Sequence, residues 1–148
     1  MPSLRDEVAR GALVQRVQQL TPATKPKWGR FDAPRMLCHL NDALSVSLGE
    51  IPSKSMNRKA FQHFPLKHLA LYVLPFPKGF AAATEMLTSA PSDFEADRSQ
   101  LLKLMDRIAA LPSTEAGPPH PIFGPLTYEE WNALHWKHID HHLKQLGC

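Results

Sequence analysis

The placement of proline constrains this chain more than any other feature. The 148 residues include 14 prolines, and they cluster. Proline fixes its own backbone and lacks the N–H that a helix interior or a strand ladder needs. Pro22 and Pro26, Pro52, Pro75 and Pro77, Pro112 and the run Pro118-Pro119-His120-Pro121 each mark a place where regular structure stops. Between them apolar residues recur at helical spacing, and alternating β-branched runs are absent. The pattern predicts well-defined helices joined by stiff, Pro-rich connectors.

Leu4, Val8, Leu13, Val17 and Leu20 predict a first helix over about residues 3–20, with Ser3 as its cap. Asp32 predicts the start of a second, with Pro34 tolerated in its first turn and Gly49 and Pro52 breaking it after Leu48. A third helical stretch is expected near residues 58–74, with Pro65 as a kink or interruption. A connector, Pro75-Phe76-Pro77-Lys78-Gly79, follows. The next helix is expected from Ser92 or Asp93 to Leu111-Pro112, and the last from Thr127 to about Leu146. Thr127 with Glu130 has the form of a capping box, and Gly147 is a stop signal. Four or five helices of about 15–20 residues, roughly 22–30 Å long, pack most naturally as an antiparallel bundle. The length suits one all-α domain over residues 1–148, large enough to bury a core without disulfides.

Charge and cysteine usage narrow the function classes. Seventeen basic against 14 acidic residues give +3 with no dense basic run, which argues against a nucleic-acid binder. Cys38 and Cys148 are no disulfide framework, and a reduced cytoplasmic setting fits them better. The first twenty residues carry Arg5, Asp6, Glu7, Arg10 and Arg16 and so lack a signal-peptide core. The longest apolar run, Leu69 to Leu74, is too short to span a membrane, and no membrane partner is expected.

Eight histidines are present, four of them in the last helix: His135, His138, His141 and His142. At about 100° per residue, with His138 at zero, Trp131 falls near ~20°, His142 near ~40° and His135 near ~60°. Glu129, Lys137, Asp140 and Lys144 fill the opposite arc, and His141 sits near the polar boundary. His138 and His142, spaced i,i+4, stack one turn apart and can reach one ion at about 2.0–2.1 Å each. His135 and His142 are two turns apart, about 10.5 Å of rise, too far to share an ion easily. A third ligand must come from a facing helix, and His39, in Met36-Leu37-Cys38-His39-Leu40, is the best placed. Taken alone, His39 reads more readily as a hydrogen-bonded core residue than as a ligand, and His135 as one that donates to a carbonyl and packs on Trp131. Cys38 points about 100° away from His39 and reads as a small buried hydrophobe.

Three stretches together resemble the DinB/YfiT-like superfamily of metal-dependent helical bundles. They are Trp28-Gly29 with Pro34-Arg35-Met36-Leu37-Cys38-His39-Leu40; Pro75-Phe76-Pro77-Lys78-Gly79; and the run from His120 through Thr127, Glu130-Trp131 and His138-Ile139-Asp140-His141-His142-Leu143-Lys144-Gln145. They span nearly the whole chain and look like an uncharacterised branch. The resemblance implies a four-helix up-down bundle, often a homodimer. It also implies a metal held by one histidine of the second helix and an i,i+4 pair of the last: here His39, His138 and His142. Better-known relatives transfer low-molecular-weight thiols or isomerise small acids with bound zinc.

Two functions are therefore expected. One is a metal-dependent enzyme of hydrolase or thiol-transferase type, acting on a small thiol or acid. In it zinc or nickel sits on three histidines and His135 serves as the acid/base group. The other is a non-catalytic metal-holding binding or stress-response module.

Overall fold

The structure is a computed structural model, and it describes residues 1–56, 58–78 and 84–148. Gly79, at the end of the expected connector Pro75-Phe76-Pro77-Lys78-Gly79, lies outside the described residues.

Four helices of 12 to 18 residues carry the architecture, and no β-strand forms among the described residues. They are α1 (Glu7–Gln18), α2 (Ala33–Ser47), α4 (Phe94–Ala109) and α5 (Tyr128–Gln145). A short α3 (Leu66–His68) runs into a π-helical turn, Leu69–Val73. Among the described residues two isolated β-bridges, Ala116 with Thr127 and His120 with Gly124, help tie the connector before α5.

Local capping explains where the helices begin. The Asp32 carboxylate accepts Arg35 N–H, and that of Asp93 accepts Ala96 N–H. In α5 the Thr127 hydroxyl accepts Glu130 N–H while the Glu130 carboxylate accepts Thr127 N–H, so the capping box forms as the sequence predicts. The first helix differs from expectation. Asp6, not Ser3, is its cap, because the Asp6 carboxylate accepts both Val8 and Ala9 N–H. Leu4 is instead buried in the turn before it, its N–H donating to Asn132 carbonyl. The third expected helix is broken as well. Residues 59–62 form a 3-10 turn, and Pro65, which has no N–H to give, separates it from α3.

Two groups of buried side chains hold these elements. One joins Leu13 and Val17 of α1, Met36, Leu37, Leu40 and Leu44 of α2, Leu101, Leu104 and Ile108 of α4, and Ile139 and Leu143 of α5. All four long helices thus share it, which fixes α2 against α5. The other gathers Ala43, Val46, Leu71, Phe123, Leu126, Trp131 and Leu134 around the N-terminal half of α5. Burying a Leu or Ile side chain stabilises by roughly 1.5–3 kcal/mol, so the shared cluster dominates the fold.

The α5 arc expected to be polar is only partly so. Glu129 and Lys144 lie outward, but Lys137 and Asp140 are buried. Asp140 pairs with Arg16 of α1 and with Lys144, both at 2.7 Å, and these cations hold its carboxyl below the usual range despite burial. The Lys137 ammonium donates to the carbonyls of Ala70 and Leu71 in the π-turn. Helical phase could not reveal these partners, which come from distant segments. No helix among the described residues is long and apolar enough to cross a membrane.

Candidate metal centre

His39 comes from the middle of α2, and His138 and His142 from successive turns of α5. His39 Nε2 is 3.0 Å from His138 Nε2, and His142 Nε2 is 3.1 Å from the same atom. The three ligand atoms lie within 4.8 Å of one another, close enough to hold a metal ion. Two nitrogens bound at about 2.0–2.1 Å to one ion stand about 2.9 Å apart at a right angle and about 4.1 Å apart when opposed. The two separations to His138 Nε2 fall in that range.

The outer nitrogens fix the tautomers. His39 Nδ1 is 2.8 Å from the carbonyl of Met86, which can only accept, so Nδ1 carries the proton. His142 Nδ1 is 2.8 Å from Gln145 Oε1. The Gln145 amide nitrogen donates to Trp28 carbonyl at 2.8 Å, which turns its oxygen towards His142. His142 Nδ1 therefore also carries the proton. Both Nε2 atoms present lone pairs to His138 Nε2, which has at most one hydrogen to offer. At least one lone pair faces inward unanswered, an arrangement that a cation satisfies and a hydrogen-bond network does not. Neutral imidazoles oriented through the second nitrogen are also what metal ligation requires.

Burial favours the same protonation state. It lowers the His39 pKa, with the Met86 carbonyl opposing part of the effect. It pushes His138 well below its usual value, helped by His142 and His39, and His142 down to about 3. Phe31 packs on His39 at 5.1 Å and stacks on His142 at 5.9 Å, while Phe76 stacks on His138 at 5.3 Å.

Partners that sequence periodicity did not single out position this group. Asp42, one turn beyond His39, is buried and accepts hydrogen bonds from Ser89 N–H, Ser89 hydroxyl and Thr88 hydroxyl. Arg35 donates to the carbonyls of Leu87 and Ser89. These contacts seat the segment carrying Met86 against α2, and so place its carbonyl on His39. On the other side Gly29 has φ +76°, and a Cβ there would collide with the Gln145 amide. The Trp28-Gly29 turn is thus shaped to receive Gln145.

The remaining histidines separate clearly. His135 is 1% exposed, stacked on Trp131 at 5.1 Å, and neither ring nitrogen has a partner. Burial, then the neighbouring His120, pushes its pKa down to about 3. It stands one turn before His138, outside the three-histidine group. His141 is half-buried and packs edge-on against His142 at 5.2 Å. His120 Nδ1 accepts from the N–H groups of Ile122 and Phe123 and so shapes its own loop. His63 and His68 are exposed. Cys38 is buried and donates to Asp97 at 3.5 Å, and burial pushes its thiol up to about 11, the behaviour of an inert thiol.

Fold and site together define an all-helical protein with three histidines gathered at metal-binding distance. The family described as "Protein of unknown function (DUF1569)" matches residues 6–147, and the chain belongs to it. No curated protein matches the chain, and no solved structure does.

Proposed function

We propose that this protein is a metal-dependent enzyme of hydrolase or thiol-transferase type, with His39, His138 and His142 holding one divalent transition ion, zinc or nickel. The observation that carries the reading is the convergence of three Nε2 atoms, two of them held as lone-pair bearers by Met86 carbonyl and Gln145. A divalent ion held there supplies Lewis acidity and lowers the pKa of a water or thiol brought to it. Three protein ligands leave room for such a group, the usual difference between a catalytic and a closed structural site. Phe31 and Phe76 shield the ligand rings from water and strengthen electrostatic interactions beside them. His135 is the proton-transfer group of this reading, since it is neutral, buried and has an uncommitted N–H and lone pair.

The long helices of this reading form the antiparallel four-helix bundle of the DinB/YfiT-like superfamily, and the protein works as a homodimer in the cytoplasm on a small thiol or acid. Exposed Phe64, Leu66, Val73 and Leu74 offer an apolar surface for the second copy. A second function is a non-catalytic metal-holding module, in which the ion chiefly ties α2 to α5. The packing of both Phe rings directly on the ligands favours it.

Metal analysis of protein purified without a nickel column tests the common part of both readings, with about one divalent ion per chain as the expected result. A panel of thiol-transfer and hydrolase substrates then separates them. Turnover that vanishes on chelation and returns with the ion supports the enzyme. A metal-loaded protein inert across the panel supports the module.

A further inference from the structure

The chain's three tryptophans are not alike. Trp131 Nε1–H donates to Pro118 carbonyl at 3.1 Å, and Trp136 Nε1–H to Ala9 carbonyl at 3.2 Å. Trp28 Nε1–H is buried and has no partner. An orphan buried donor costs about 1–3 kcal/mol, so native proteins seldom leave one without a purpose. This one stands beside the histidine group. The Trp28 carbonyl is held by Gln145, and its ring meets His141 edge-on at 6.2 Å. Phe76, which stacks on His138, also packs on His141 at 5.7 Å.

The Lys78 ammonium lies 4.3 Å above the Trp28 ring. From Ile51 to Thr84 the sequence contains no Asp or Glu, so the segment bearing Phe76 and Lys78 brings no acid of its own. Three described carboxylates on or beside the histidine-bearing helices are already engaged. Asp42 binds Ser89 and Thr88, Asp140 binds Arg16 and Lys144, and Asp32 caps α2. Three neutral imidazoles neutralise none of a divalent ion's charge. Among the described side chains Lys78 adds positive charge beside the histidines, and Trp28 holds a donor with nothing to bind.

We propose that Trp28 Nε1–H and Lys78 form a subsite for an oxyanion group, a carboxylate above all, on the small molecule that the metal site binds. One oxygen accepts the indole N–H, and the ammonium supplies the opposing charge. The subsite selects ligands by an anionic oxygen rather than by the atom that reaches the metal. The inference rests on the metal reading above.

Propionate and its neutral counterpart propionamide test it on zinc-loaded full-length protein of verified metal content. The readout is the Trp28 indole ¹H–¹⁵N resonance, assigned by its absence in Trp28→Phe. Propionate should shift that resonance saturably in the millimolar range, as suits so small a ligand, and propionamide should not. Trp28→Phe, which keeps the backbone carbonyl that Gln145 holds, should weaken propionate about tenfold or more, read by calorimetry. Lys78→Ala should weaken it by a few-fold, less at high salt. Neither substitution should change zinc content. Equal binding of amide and acid, unchanged propionate affinity in both variants, or no saturable binding to zinc-loaded protein would overturn the subsite alone. Failure to retain zinc would defeat the metal reading and the subsite with it, and the metal analysis shows this first.

Discussion

Replacing Gln145 by Leu tests whether the ligand geometry is imposed from outside the three histidines. Gln145 is buried, and its amide does two things at once: the oxygen accepts His142 Nδ1–H and the nitrogen donates to Trp28 carbonyl, both at 2.8 Å. Leu fills a similar volume but makes neither bond. His142 Nδ1–H and the Trp28 carbonyl then lose their partners, at about 1–3 kcal/mol each. The expected loss is about 2–4 kcal/mol of stability in the metal-free protein, allowing for partial relaxation of the Trp28-Gly29 turn towards water. Metal affinity should fall about 10–100-fold, because the Nδ1–H contact is what presents Nε2 as a lone pair. Gln145→Glu separates the two roles. A carboxylate still accepts from His142 but cannot donate to Trp28, so metal affinity should stay near wild type while part of the stability is lost. Competition with a chromophoric chelator reads the affinity, and urea denaturation of chelator-treated protein reads the stability. A folded Gln145→Leu protein with wild-type metal affinity would refute the reasoning, since His142 would then hold its orientation without Gln145.

His39→Ala, His138→Ala and His142→Ala should each remove most of the bound metal, measured by elemental analysis, whereas His141→Ala should leave it nearly intact; the reverse order would mean that the wrong α5 histidine was assigned. His135→Phe should retain the metal and its stack on Trp131, while any turnover drops about 10–100-fold or more. Acid should destabilise the metal-free protein. The His135 pKa is about 3 folded against about 6.5 unfolded, so the unfolded chain takes up the proton first; its contribution is present above about pH 6.5 and lost as pH falls towards 3, at up to about 1.4 kcal/mol per pH unit. Urea midpoints measured from pH 7 to 4 should show this slope, reduced in His135→Phe; an identical slope in both proteins would contradict it. Sedimentation at tens of micromolar should show a dimer, and a dimer that survives Phe64→Glu with Leu74→Glu would place the interface elsewhere.

Much of the fold was legible in the residues because it rests on local rules. Asp32, Asp93 and the Thr127–Glu130 box sit where short side chains answer orphan N–H groups, and proline says where helices cannot continue. The start of α1 was misplaced because Ser3 and Asp6 carry the same kind of signal, and only packing of Leu4 against the start of α5 chooses between them. The stretch 58–74 has helical composition, yet Pro65 divides it into turns too short for periodicity to resolve.

The same division runs through the site. By itself the sequence determined that His138 and His142 share a face of α5 and that His39 lies on a buried stripe of α2, since 3.6 residues per turn leaves no other arrangement. Tertiary structure alone decided how those rings are used. The Met86 carbonyl and the Gln145 amide set the tautomers, Asp42 is spent on Ser89 and Thr88, and His135 and Trp28 are left with donors unanswered. Most of these contacts join residues far apart in the chain, and several run through backbone atoms that every residue type carries. No pattern of side chains can encode them, so they exist only once the helices have packed.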